Sequence, residues 1–126
     1  MKTNLMNPKA QTTLERIKKL IKEVAILVNT FPKTTAAFKI AGQVMDSVTS
    51  VGANFVEAQS ARSKKEFIST ISIALREMNE TIFWFDLIQE LNLSSANLKD
   101  ISAEANELAK ILAATIMTSS RSFNKN

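Results

Sequence analysis

Residues 63–91, SKKEFISTISIALREMNETIFWFDLIQEL, carry the clearest secondary-structure signal in the chain. Ser63 and Glu66 lie three residues apart just ahead of an apolar run, which is the spacing of a capping box and predicts Ser63 as an N-cap. The apolar residues that follow recur at steps of three and four, so they share one face of an α-helix. They are Ile68, Ile71, Leu75, Met78, Ile82 and Phe85.

Three further segments repeat this periodicity, and none of the four alternates with a period of two residues. Pro32 ends the first segment because proline disfavours α geometry in the residue before it. Thr34 or Thr35 then caps the second segment, and one of the serines in residues 92–95 caps the fourth. The expected helices are residues 10–30, 35–59, 63–91 and 95–119, with residues 1–8 and 121–126 frayed.

Helices of this length joined by short connections pack antiparallel to their chain neighbours. We therefore predict an all-α fold, a single antiparallel up-down-up-down four-helix bundle over residues 1–126. The second helix is expected to bury a stripe that begins at Phe38 and includes Gly52. Inside a helix, glycine lowers helix stability by about 1 kcal/mol relative to alanine. A close approach of another helix would explain a glycine at position 52.

The composition excludes most classes of catalytic and metal site. The chain has 126 residues with no Cys, no His and two Gly. Thiolate metal sites, imidazole bases and glycine-rich phosphate loops are therefore excluded. We predict a protein that is not an enzyme and holds no cofactor and no metal; the carboxylates of the third helix are expected to be solvated or paired between subunits. These are Glu77, Glu80, Asp86 and Glu90.

The formal net charge is +4, and the basic residues concentrate in the first part of the chain. Residues 1–75 carry +6, whereas residues 76–126 carry −2. Clusters of this kind bind phosphate backbones, although basic residues also simply solvate helix faces. The candidate nucleic-acid-binding residues are Arg16, Lys18, Lys19 and Lys22 on the first helix, and Arg62, Lys64 and Lys65 between the second and third.

The start of the chain, MKTNLMNPKAQTT, lacks the apolar segment of a secretory signal. The longest apolar run, residues 24–28, is too short to cross a bilayer. Absence of cysteine also fits a reducing compartment. A cytoplasmic protein that does not associate with membranes is expected.

The third helix carries more apolar residues than one buried stripe requires. An apolar surface that the bundle does not cover usually marks an interface. We therefore expect self-association through Phe67, Ile73, Phe83 and Trp84. The alternative is a third helix that packs deeply in its own bundle with Trp84 at the rim.

Asn54 and Glu57 lie three residues apart near the end of the second helix, so they share a face. Without a histidine, cysteine or metal ligand beside them, they do not form a catalytic site. They are expected to hydrogen-bond across the corner between the second and third helices.

Residues 47–75, SVTSVGANFVEAQSARSKKEFISTISIAL, resemble the four-helix-bundle family of the 23S ribosomal RNA intervening-sequence protein. Asn54 and Glu57 match the middle of the family pattern, and residues 62–67 match its arginine-rich link with Ser63 and Glu66. Ala58 replaces the glycine that the family carries after the glutamate. The resemblance spans about residues 31–91.

This resemblance implies a homopentameric ring. Some relatives are accessory variability proteins of diversity-generating retroelements, which work with a reverse transcriptase and nucleic acid. The expected function is therefore a homo-oligomer that offers a basic surface to RNA or DNA, with a reverse transcriptase as one partner. The alternative is a protein-protein interaction adaptor that binds no nucleic acid.

Overall fold

A computed structural model describes the backbone of residues 6–125 and the side chains of residues 6–121. Over those residues the chain is all-α, with α1 at Pro8–Val28, α2 at Thr35–Ala58, α3 at Lys64–Glu90 and α4 at Lys99–Lys125. α2 packs between α1 and α3, and α4 closes the bundle against α3 and α1. The prediction of an antiparallel up-down-up-down four-helix bundle is confirmed.

The first three N-caps follow from local sequence. The Asn7 side chain accepts a hydrogen bond from the Ala10 amide at 2.8 Å. Thr34, one of the two predicted threonines, accepts from the Ala37 amide at 3.2 Å. Ser63 accepts from the Glu66 amide at 3.0 Å, as the capping box predicts.

The start of α4 differs from the prediction by four residues. Asn92 adopts the left-handed region with φ 52° and ends α3 in a Schellman turn, with the Leu93 amide bonded to the Ile88 carbonyl at 3.1 Å. Ser94 does not cap α4; its hydroxyl accepts from the Ala96 amide at 3.1 Å, ahead of the helix, and lies 2.7 Å from that of Thr30 on the neighbouring connection. Instead, the Asn97 side chain accepts from the Lys99 amide at 2.9 Å.

The chain ends also differ from the prediction. α1 begins at Pro8, two residues early, because proline is favoured in the first turn of a helix. α4 continues to Lys125 rather than ending at residue 119, since neither proline nor glycine follows residue 100. Residues 1–5 and 126, which we predicted to be frayed, lie outside the described residues.

The core is one cluster of apolar side chains from all four helices. The prediction that Phe38 belongs to it is wrong, since this side chain is 66% exposed. Ala37 and Ile40 face inward instead, and Phe38 is turned about 100° from Ala37 around the helix. The largest fully buried side chains include Ile17, Leu20, Ile71, Met78, Phe85, Ile88, Leu108 and Leu112.

Two close approaches fix α2 against its neighbours. A Cβ atom on Gly52 would lie 3.1 Å from Ile21 Cδ1 and 3.5 Å from Ile17 Cγ2, which confirms the expected contact with another helix. On the other side, the buried Ser47 and Thr81 hydroxyls lie 2.8 Å apart between α2 and α3. The Thr81 hydroxyl also donates to the Glu77 carbonyl, so this polar pair is satisfied inside the core.

Candidate nucleic-acid and subunit interfaces

One end of the bundle collects basic side chains from α1, α3, α4 and the connection between α2 and α3. Because neighbouring helices are antiparallel, α1 and α3 begin at this end and α2 and α4 finish there. We call the following set of exposed residues the basic end: Lys9, Arg62, Lys64, Lys65 and Arg121. Four of the predicted candidates, Arg16, Lys18, Lys19 and Lys22, do not belong to it.

The basic end contains two residues that the sequence analysis missed, Lys9 and Arg121. They lie 112 positions apart in the chain and belong to no local motif. The signal that would have found them is the predicted topology, since an even number of antiparallel helices returns the last helix to the end where the first one starts.

The corner that carries Arg62 is held by local hydrogen bonds. Glu66 accepts from the Arg62 amide at 3.0 Å, while its own amide donates to Ser63. The Arg62 guanidinium lies 3.7 Å from the same carboxylate and is almost fully exposed. Ser63 and Glu66 thus order the backbone beneath the basic residues rather than contacting a ligand.

The structure pairs Arg16 with an acidic residue. Its guanidinium donates to both carboxylate oxygens of Glu104 on α4, at 2.9 and 2.8 Å. The hydrogen bond from Arg16 holds the pKa of Glu104 below its ordinary value. The prediction placed Arg16 on the nucleic-acid surface, but its charge is offset by Glu104 and it joins α1 to α4.

The remaining basic residues of α1 lie apart from the basic end. Lys18, Lys19 and Lys22 are exposed on α1. At 1.5 Å per residue, Lys18 lies about 14 Å along the helix from Lys9. The fold therefore separates the two predicted basic clusters instead of joining them.

Asn54 and Glu57 do not connect α2 with α3 as expected. The Asn54 side chain donates to the Ser50 carbonyl of its own helix at 2.9 Å. Glu57 is exposed near the end of α2. Both residues lie close to the basic end. Glu57 and Glu66 are acidic residues in this part of the bundle.

The outer side of α3 exposes the predicted aromatic pair. Phe83 is 54% exposed and meets Trp84 edge-on, with ring centroids 4.9 Å apart. Trp84 is half-buried, and its indole N–H donates to Glu80 at 3.4 Å. Ile73 is half-buried as well. The alternative, in which α3 packs deeply in its own bundle with Trp84 at the rim, fits Trp84, which packs against the core, but not Phe83.

Phe67 belongs to a different surface from Phe83. It packs against the core and, with Phe55 and Ile111, lines a groove of about 390 Å³ to which all four helices contribute. The reason is its position four residues before the buried Ile71, on the inward side of α3. The prediction that Phe67 shares a subunit interface with Phe83 does not fit this placement.

Within residues 6–121, acidic side chains form no group of three close enough to hold a metal ion. Across the described helices, no segment combines the length and the apolar character that crossing a bilayer requires.

Comparison with known proteins agrees with this architecture. The family model described as 23S rRNA-intervening sequence protein matches residues 10–114. The chain is also similar to a crystal structure at 1.70 Å resolution of a protein with unknown function from the S23 ribosomal protein family of Bacteroides thetaiotaomicron. The two share 27% sequence identity and a TM-score of 0.78, over 86% of this chain and 98% of that one. Among curated proteins, no sequence matches the chain.

Proposed function

This chain belongs to the 23S rRNA-intervening sequence protein family, and we propose that it is a non-enzymatic subunit of a homopentamer that binds nucleic acid with its basic end. The observation that carries the proposal is the gathering of Lys9, Arg62, Lys64, Lys65 and Arg121 at one end of the bundle. Lysine and arginine side chains in such a cluster release counterions from a phosphate backbone, which drives binding without base specificity.

Self-association strengthens the effect of a modest charge. In a cyclic ring whose axis runs along the bundles, every copy presents its basic end on the same rim. The formal charge of +4 on one chain becomes about +20 for five copies. Several weak contacts on one strand then act together, so avidity raises affinity without any new contact.

The test compares the natural protein with the double variant Lys9→Glu/Lys65→Glu in titrations of RNA and DNA oligonucleotides. Binding is measured at about 50 mM and about 200 mM salt, because each lost phosphate contact reduces the slope of log K against log salt by about 0.9. We expect the variant to bind more weakly at low salt and to lose up to about two units of slope for each subunit that contacts the strand.

The matched control is Lys99→Glu/Lys110→Glu, which makes the same charge change at exposed positions of α4 away from the basic end. It is expected to retain most of the affinity. Absence of binding by the natural protein at about 50 mM salt, or equal losses in both double variants, contradicts the proposal.

A second function rests on the aromatic pair of α3. Phe83 and Trp84 are bordered by Glu80 and Asp86, which suits a protein partner better than a nucleic acid. In that function the chain is an adaptor, and the family resemblance makes a reverse transcriptase the partner to test. A pull-down assay with the two purified proteins after nuclease treatment separates the functions, because only an adaptor retains its partner without nucleic acid.

A further inference from the structure

A second apolar surface follows the line where α1 meets α2. Ile21 of α1 approaches Gly52 of α2, so the flanks that carry these residues face each other. Residues seven positions apart lie on nearly the same side of a helix, which places Phe38 and Met45 on the flank of Gly52. We call this surface the α1–α2 face: Leu14, Ile21, Val28, Phe38, Met45 and Val56.

The α1–α2 face is only partly covered by its own bundle. Leu14, Ile21, Val28 and Met45 are half-buried against the core. Phe38 and Val56 are exposed at the two ends of the line. Large apolar side chains aligned on one surface usually mark an interaction site.

The apolar surface of α3 has a similar length. We call it the α3 face: Ile73, Phe83, Trp84, Leu87 and Leu91. From Ile73 to Leu91 it spans eighteen residues, as does the α1–α2 face from Phe38 to Val56. Each line is therefore about 27 Å long at 1.5 Å per residue.

The charges beside the two faces are opposite. Along α3, the neighbouring charged residues are Arg76 and the four carboxylates Glu77, Glu80, Asp86 and Glu90. The exposed charged residues on the α1 border of the other face are Lys18, Lys22 and Glu15, which sum to +1 against −3 along α3, while Lys39 and Asp46 of α2 offset each other. Charge complementarity of this kind selects the partner and fixes its orientation, and it disfavours pairing of two acidic α3 faces.

We infer that the α3 face of one subunit docks on the α1–α2 face of the next copy of the chain. This inference rests on the self-association in the proposed function and identifies the two surfaces that produce it. Because two different surfaces meet, the contact is heterologous, and repetition around an axis closes a ring with no face left over. Lys18 and Lys22 then serve the subunit contact rather than the binding of nucleic acid.

The test uses Phe38→Glu and Phe83→Glu, measured alone and mixed, with native mass spectrometry and light scattering. Each variant retains one intact face, so each is expected to be a monomer of about 13.9 kDa. The equimolar mixture is expected to form a 1:1 dimer, because the intact α3 face of one variant docks on the intact α1–α2 face of the other. Met117→Glu, at an apolar side chain of α4 that is 60% exposed and belongs to neither face, is the control and is expected to remain oligomeric.

The outcomes separate this inference from the proposed function. A natural protein that is monomeric at micromolar concentration removes the self-association and the inference together. An oligomeric natural protein whose Phe38→Glu variant stays oligomeric overturns only the inference. Two monomeric variants that do not combine also overturn it, provided that circular dichroism shows both to be helical.

Discussion

Gly42 and Gly52 lie on the same helix but in different surroundings. No atom lies within 4 Å of the position that a Cβ on Gly42 would occupy, and the residue is exposed. Gly52 is buried, and its missing Cβ allows the approach of Ile21 and Ile17. The first glycine only weakens α2, whereas the second permits its packing against α1.

We expect Gly42→Ala to raise the free energy of unfolding by about 1 kcal/mol, because alanine is the better helix former and meets no neighbour. Gly52→Val is expected to lower it by about 1–3 kcal/mol, because the added carbons overlap Ile21 and the fully buried Ile17. Urea denaturation of both variants measures the two changes. A change in the free energy of unfolding of the same sign and size in both variants would show that contact with Ile21 does not limit the size of residue 52.

The Arg16–Glu104 pair gives stability a dependence on pH. The folded-state pKa of Glu104 lies below its ordinary value of 4.5. Its stabilisation is therefore complete above that value and is lost as the pH falls through the folded-state pKa. Because the two side chains are 36% and 31% exposed, solvent screens the pair.

Glu104→Gln is accordingly expected to lower the free energy of unfolding at pH 7 by less than about 1 kcal/mol. Denaturant titrations at several pH values are the measurement, and the difference from the natural protein should shrink below about pH 4.5. Glu57→Gln, at an exposed carboxylate near the end of α2, is the control. A difference that stays constant down to pH 3 would assign the effect to something other than this ion pair.

At the scale of elements, the starts of α3 and α4 show what a local signal can decide. The Ser63 hydroxyl caps α3 by accepting a hydrogen bond from the amide of Glu66, three residues away. Its role could therefore be predicted from the sequence. Ser94 is an equally suitable residue type for a cap, but its hydroxyl bonds to the Ala96 amide and to Thr30, which lies 64 positions away, rather than to the first turn of α4. The Asn97 side chain accepts from the Lys99 amide instead, and α4 starts at Lys99.

Ser63→Ala is expected to lower the free energy of unfolding by about 1 kcal/mol, because the Glu66 amide loses its hydrogen-bond acceptor. Ser95→Ala removes an exposed serine that the sequence also offered as a cap, and it is expected to change stability by less than about 0.5 kcal/mol. Chemical denaturation of the two variants side by side is sufficient. A larger loss from Ser95→Ala than from Ser63→Ala would reverse the assignment of the caps.

For the whole molecule, subunit contacts between apolar faces couple association to folding. Anything that binds the folded state stabilises it by mass action. We expect the Tm of the natural protein to rise as its concentration is increased from about 1 to about 100 µM. The Tm of Phe83→Glu should stay constant over this range and that of Met117→Glu should rise, as followed by circular dichroism. A concentration-independent Tm for the natural protein would argue against subunit association.

The sequence by itself determined the four helices, their antiparallel order and the caps at Thr34 and Ser63, because apolar periodicity, capping residues and short connections act over a few residues. Only the tertiary structure decided which residues share a surface. Packing turned Phe38 outward and Phe67 inward, paired Arg16 with Glu104, and placed Lys9 and Arg121 at the same end of the bundle as Arg62. These outcomes depend on how each helix is rotated about its axis and which helix lies beside it, and contacts between residues distant in the chain fix both.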